Sequence, residues 1–254
     1  MKIPLRSVLV ALLLTGFSLP APAADHSDLR VAISLDIPPY VMNHAASGLE
    51  VDILHQALAG HKLVIAQLPY EQLQVAIPKK MADVSVGVQA DDSGVFYSKD
   101  FITFANYAIA KRSDKLDIKS VADLRGHKVL TWENAYLELG KQFAAQYAPQ
   151  APERKNYLEI ADQTEQVKEF WKGKDNVIVI DYSIFIHLSS QLGYDLSQAR
   201  LFSIFEPVTN FKAGFKDSKI RDQFNQAITI MCRDGKYAEL MKHYKIVVKQ
   251  SVCQ

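Results

Sequence analysis

The stretch from Met81 to Arg112 constrains the fold more than any other part of the chain. Ala82-Asp83-Val84-Ser85-Val86-Gly87-Val88 alternates valine with small residues, so one face of the predicted strand is apolar and the other lets a neighbour approach closely. It runs into Gln89-Ala90-Asp91-Asp92-Ser93-Gly94, a polar, turn-prone segment at the strand end where open α/β sheets bind ligands. Tyr97-Ser98-Lys99-Asp100-Phe101 follows, then an extended run from Ile102 to Ala110 that is apolar except for Thr103 and Asn106. The order is strand, ligand-side loop, and a buried strand that leaves a first lobe.

The flanking sequence supplies the rest of two α/β units. Leu29 to Ile33 predicts a strand, broken at Asp36-Ile37-Pro38-Pro39-Tyr40 because proline cannot donate to a ladder. Ser47-Gly48-Leu49-Glu50 has capping-box spacing, and Leu49, Ile53, Leu54, Ala57 and Leu58 share one helical face. Lys62 to Leu68 and a short helix from Glu71 to Ile77 complete β-α-β-α-β, the pattern of a parallel sheet. Farther on, Val129 to Trp132 predicts a strand running into Glu133-Asn134, where a helix carrying Leu137, Leu139, Phe143 and Tyr147 begins. Asp162-Gln163-Thr164-Glu165 is a capping box, and the apolar strand Val177 to Ile180 ends in Asp181, which is also placed to cap a helix from Tyr182 to Leu192. Leu201 to Phe205 and Phe211 to Phe215 predict a return to the first lobe, and Asp234-Gly235 joins two closing helices, Ile220 to Arg233 and Lys236 to His243.

Composition narrows the partners. Lys2 and Arg6, the apolar run Val8 to Leu19 and Ala21-Pro22-Ala23-Ala24 have the three regions of an export leader, giving residues 1–24 as a cleaved signal peptide. Setting Lys2 and Arg6 aside leaves 27 of the 29 basic residues against 28 acidic ones. That balance points to neither a nucleic-acid partner nor an anionic membrane surface. In an oxidising compartment Cys232 and Cys253 are expected to pair, the alternative being a buried helix cysteine and a free tail thiol. No nucleophile elbow, phosphate loop or metal motif is present, and the histidines are dispersed, so neither metal nor cofactor is expected.

In their order these segments resemble the bacterial periplasmic solute-binding proteins of amino-acid-type importers, the type II periplasmic binding protein fold. Lys80-Met81-Ala82-Asp83 is similar to the family's "G-x-x-D-a", Tyr97-Ser98-Lys99-Asp100-Phe101 to its "F-S-x-P-Y", and Gly48 to Asp52 to its "G-f-d-v-D". Ser120 to Val129 resembles "s-x-x-D-L-x-G-k-x-V", Val177 to Asp181 the end of "v-D-A-v-i-x-D", Phe211 to Phe215 "y-g-i-a-f", and Asp234 to Leu240 "x-D-G-t-x-x-k-l".

The resemblance implies an α/β, two-lobed fold, each lobe a mostly parallel sheet flanked by helices. Lobe one would take residues 25–110 and 206–254, lobe two residues 111–205, with crossings near 107–114 and 203–210. It implies a monomeric periplasmic binding protein that is not an enzyme, closes on a small polar ligand, and serves a membrane ABC permease for amino acid transport, or a sensor. The implied ligand-binding residues are Tyr40, Asp91, Ser98, Trp132, Asn134 and Asp181, with Asp181 on the ligand's ammonium group. The family's carboxylate-gripping arginine is missing, because Asp91-Asp92-Ser93-Gly94-Val95 stands in its place. An amine-bearing ligand without a required carboxylate is therefore expected, unless Arg30 or Arg154 swings in. The alternative is an enzyme of the same fold, similar to cyclohexadienyl dehydratases, with Glu50, Glu71, Asp91 or Glu133 as acid or base.

Overall fold

The computed structural model describes residues 28–253. The predicted leader, residues 1–24, lies outside them. The chain begins with β1 (Leu29–Ser34), α1 (Leu49–Ala57), β2 (Leu63–Leu68), α2 (Tyr70–Leu73) and β3 (Val84–Val88). β1 lies between β2 and β3, parallel to both, as the β-α-β-α-β pattern requires. Two short strands follow, β4 (Phe96–Tyr97) and β5 (Ile102–Phe104), and then β6 (Asn106–Lys111).

The expected single strand from Ile102 to Ala110 is split. β5 belongs with the first sheet, whereas β6 pairs with strands of the second, so the chain crosses between lobes at Ala105 rather than near 107–114. A second sheet is then built from β7 (Lys128–Thr131), α3 (Ala135–Glu138), α4 (Lys141–Tyr147), β8 (Tyr157–Glu159), α5 (Gln163–Lys172), β9 (Asn176–Asp181), α6 (Tyr182–Gln191) and β10 (Ala199–Phe202). The chain returns through residues 203–208 to β11 (Thr209–Phe215) and ends in α7 (Ser218–Arg233) and α8 (Lys236–His243).

The fold is α/β with two lobes, and both sheets are mixed. The first has the order β2-β1-β3-β11-β4, with β5 also on β11; the second has the order β10-β6-β9-β7-β8. Only β2-β1-β3 and β9-β7-β8 are parallel, because each return crossing adds antiparallel neighbours. β9 is buried at every position, as its uninterrupted apolar run demands of a strand covered on both faces. One continuous core holds Val31, Ile33 and Val86 of the first lobe together with Ile178, Ile180 and Phe185 of the second.

Local chemistry explains two departures from expectation. At the start of α1 the N-cap is Gly48, with no side-chain cap; a Cβ there would meet the Tyr40 carbonyl oxygen at 2.3 Å, and its φ of +122° is open to glycine alone. Ser47 instead accepts from Asn43 Nδ2 at 2.8 Å, so the expected capping box does not form. The helix expected from Asn134 onward is broken into α3 and α4 at Gly140, whose φ is +87°. Elsewhere the capping signals act as read: the Asp162 side chain accepts from the amides of Thr164 and Glu165, and Asp181 from that of Ile184.

Cys232 of α7 and Cys253 form a disulfide across a sequence separation of 21. Closing a loop of that size contributes about 3 kcal/mol in the chain-entropy account. Cys253→Ser should lower the unfolding free energy in urea by that order without altering the ligand cleft. A variant as stable as the wild type would show that the tail adds nothing.

Candidate functional site

The cleft between the two sheets is open to solvent. It collects side chains from the carboxyl ends of parallel strands in both lobes, where such sheets offer a crevice. Ser34 and Leu35 end β1, Val86 and Gly87 lie near the end of β3, Trp132 and Glu133 follow β7, Ala161 follows β8, and Asp181 ends β9.

One wall is aromatic. Phe104 and Phe211 meet edge-on at 5.5 Å on neighbouring strands, and Tyr70 meets Phe211 edge-on at 6.4 Å. Leu73, Ile37 and Ile184 extend the apolar lining. Tyr40 is fully buried one layer behind this wall, with its ring 4.4 Å from that of Phe104. Its hydroxyl donates to Asp181 Oδ1 at 3.3 Å. Phe104, rather than Tyr40, faces the cavity.

Among the described residues the charged lining is entirely acidic: Glu50, Glu133 and Asp181, with no lysine, arginine or histidine. Asp181 is buried, and burial pushes its carboxyl up to about 6 against the opposing pull of its hydrogen bonds. Oδ2 accepts from Ala105 N at 2.7 Å, and Oδ1 accepts from Ile184 N at 3.0 Å as well as from Tyr40. Asp181 thus caps α6 and also grips the lobe crossing.

Glu50 is 2% exposed, and burial alone pushes its carboxyl up to about 8. Its backbone amide donates to Tyr40 O, but its carboxyl has no hydrogen-bond partner among the described residues. Two polar atoms of the lining, Gln163 Oε1 and Ser34 Oγ, are buried without a partner. Glu133 is raised by burial and by the nearby carboxylates of Glu71 and Glu159. Across the mouth, Tyr70 on α2 donates to Glu138 Oε1 on α3 at 3.1 Å, and burial raises Glu138 as well.

Asp181 and Trp132 therefore meet at the cavity, and Asn134 stands beside it. Asn134 has a left-handed φ of 57°, and its amide already donates to Glu159 Oε1 at 3.2 Å. Asp91 is exposed and held in a loop network by Tyr97 OH at 2.6 Å and Gln74 Nε2 at 2.8 Å; these bonds and the Ser93 contacts hold its carboxyl well below the usual range. Ser98 Oγ accepts from Ala213 N at 2.9 Å and stitches β11 to the preceding loop. Neither lines the cavity. The arginines are committed elsewhere: Arg30 pairs with Asp83, Arg154 with Glu159, and Arg112 donates to Ser197 O.

Sequence reasoning did not single out Tyr70, Phe104, Gln163 or Phe211. Glu50 was weighed only as a cap and as one of four acids. The available signal was their position at strand ends and helix starts, which does not by itself reveal a shared cavity. Among the described residues no three His, Cys, Asp or Glu side chains cluster as metal ligands, and no helix is long and apolar enough to cross a membrane.

No protein-family profile matches the sequence, and no curated protein matches it either. Solved structures do match. A histidine kinase sensor domain with similarity to periplasmic binding proteins superposes with a TM-score of 0.73 at 14% identity, covering 89% of this chain and 99% of that one. The arginine-, lysine-, histidine-binding protein ArtJ from Geobacillus stearothermophilus gives 0.68 at 15% identity, covering 88% and 97%. The ancestral amino-acid-binding protein AncCDT-1, a precursor of cyclohexadienyl dehydratase, gives 0.67 at 18% identity, covering 85% and 95%. Most such neighbours are binding proteins by name rather than enzymes. The chain has the two-lobed fold of these periplasmic-binding-protein-like structures.

Proposed function

We propose that the protein is an exported solute-binding protein whose lobes close on a small cationic, amine-bearing ligand with an apolar body. The carrying observation is the cleft's charge: three carboxyl side chains and no basic residue among apolar and aromatic walls. A ligand carboxylate would find no basic side chain there and would face the carboxyl groups of Asp181 and Glu133, whereas an ammonium would be held by charge and by aromatic faces. Trp132, Phe104 and Phe211 offer such faces. Asp181 and Asn134 frame the second-lobe side, and the hinge is assigned to Ala105 and to residues 203–208.

In this reading the protein works as a monomer in the periplasm and hands its ligand to a membrane ABC permease or reports it to a sensor. The names of its structural neighbours, which include importer components and a kinase sensor domain, support both outlets. Native mass spectrometry of gently purified protein tests the ligand class. A retained mass that fragments as an amine is expected, and a retained dicarboxylic acid or sugar would refute the proposal.

One observation favours a second reading. Glu50 lines the cavity and is held protonated at neutral pH, the state a general acid needs. If the protein is a lyase of the same fold, prephenate or arogenate would be consumed at a rate proportional to protein concentration. Return of these compounds unchanged would leave the binding role alone.

A further inference from the structure

We infer that the ligand's ammonium is held by Glu50 and Ser34 of the first lobe and Gln163 of the second, and that Glu50 gives up a proton as the cation enters. This rests on the cationic-ligand reading and adds which groups bind and what uptake costs in protons. An ammonium carries three donors and accepts nothing. Three polar side chains of the cavity lining have unspent capacity: the Glu50 carboxyl, Gln163 Oε1 and Ser34 Oγ. Glu50 is 2% and Gln163 8% exposed. Gln163 Oε1 and Ser34 Oγ are buried without partners, which is costly, so their presence in a cavity wall calls for a bound group to satisfy them. Asp181, by contrast, already accepts from two amides and a hydroxyl. Because Gln163 opens α5 and Glu50 lies in the first turn of α1, an ammonium shared by them ties the lobes together.

The proton follows from the surroundings of Glu50. Its own helix offers Asp52, which accepts from Tyr244 OH at 2.6 Å. α8 offers Tyr237, whose hydroxyl donates to Phe101 O, and the preceding loop offers Tyr40, whose hydroxyl faces Asp181. Asp181, Glu133 and Tyr70 complete the cavity side. All are acids or phenols, and no cation favours an ionised Glu50. With its carboxyl at about 8 and that of Asp181 at about 6, Glu50 is the acid still protonated at neutral pH. An alkylammonium keeps its own charge through this range.

Calorimetry of the full exported chain with 2-phenylethylamine, in buffers of different ionisation enthalpy, reads the coupling directly. At pH 7 close to one proton should be released per amine bound, and affinity should rise about tenfold per pH unit up to pH 8. Glu50→Gln should abolish the release and weaken binding at least tenfold at pH 8; Gln163→Ala should weaken binding several-fold while keeping the release. Thermal melts certify that each variant is folded, and Glu50→Asp provides a second acidic variant that should still release a proton. Amine binding with no proton release, or with undiminished affinity in Glu50→Gln, would overturn the inference and leave the cationic reading standing. Failure of the wild type to bind the amine, alongside binding of an anionic solute, would overturn both.

Discussion

Replacing Asp181 with alanine should cost about 3 to 5 kcal/mol of folding stability in urea titrations, well beyond any change in ligand affinity. The carboxylate is buried and accepts from Ala105 N, Ile184 N and Tyr40 OH. Truncation leaves two buried amides without an acceptor, each costing roughly 1 to 3 kcal/mol, and removes the cap of α6. Relief of the buried charge offsets only part of this. Asp181→Asn keeps one carbonyl acceptor but turns an NH2 group toward a donor, so an intermediate loss is expected. The Ala105 bond sits at the crossing between sheets, so the alanine variant should also exchange the Ala105 amide faster with solvent. A variant within about 0.5 kcal/mol of wild type, the scatter of ordinary surface changes, would show that Asp181 is not the bolt described.

Raising the pH from 6.5 to 9.5 should destabilise the ligand-free protein by about 2 kcal/mol through Glu50 alone, and Glu50→Gln should flatten that slope. Glu50 ionises near 4.5 in an open chain and at about 8 in the fold. Its stabilising contribution is therefore fully present below 4.5 and is lost as pH rises through about 8. The whole window is worth roughly 4 to 5 kcal/mol at about 1.36 kcal/mol per pH unit. Asp181, raised to about 6, spends its own contribution earlier, and His187, lowered by burial, acts below its usual range. Neither obscures the upper limb. Parallel pH slopes for wild type and Glu50→Gln in urea unfolding would contradict the burial of an unpartnered acid.

Much of the scaffold was legible because its signals are local. Valine alternation placed β3, the unbroken apolar run placed β9, and aspartates at 162 and 181 cap helices as their chemistry dictates. The export-type pairing of Cys232 with Cys253 also appears. What was not legible depends on neighbours distant in sequence. The run from Ile102 to Phe104 and the run from Asn106 to Lys111 look alike, yet different partners claim them, so the crossing between sheets falls at Ala105. Tyr40 was a plausible cleft wall until Phe104, 64 residues later, took that face. Glu50 read as half of a capping box. Only the close approach of Tyr40 O to Gly48 turns the N-terminus of α1 into a glycine cap and leaves the glutamate facing the cavity.

The central claim is that the cleft takes a cation and rejects a carboxylate, and one matched pair tests it. 2-Phenylethylamine and phenylalanine share a ring and an ammonium and differ by a carboxylate. In this acidic, arginine-free cavity the carboxylate finds no guanidinium or ammonium to grip it, a loss of about 1.5 to 3 kcal/mol before repulsion is added. Side-by-side calorimetry at pH 8 should give the amine at least a tenfold tighter dissociation constant. Phenylalanine binding as tightly as the amine, or more tightly, would contradict the account.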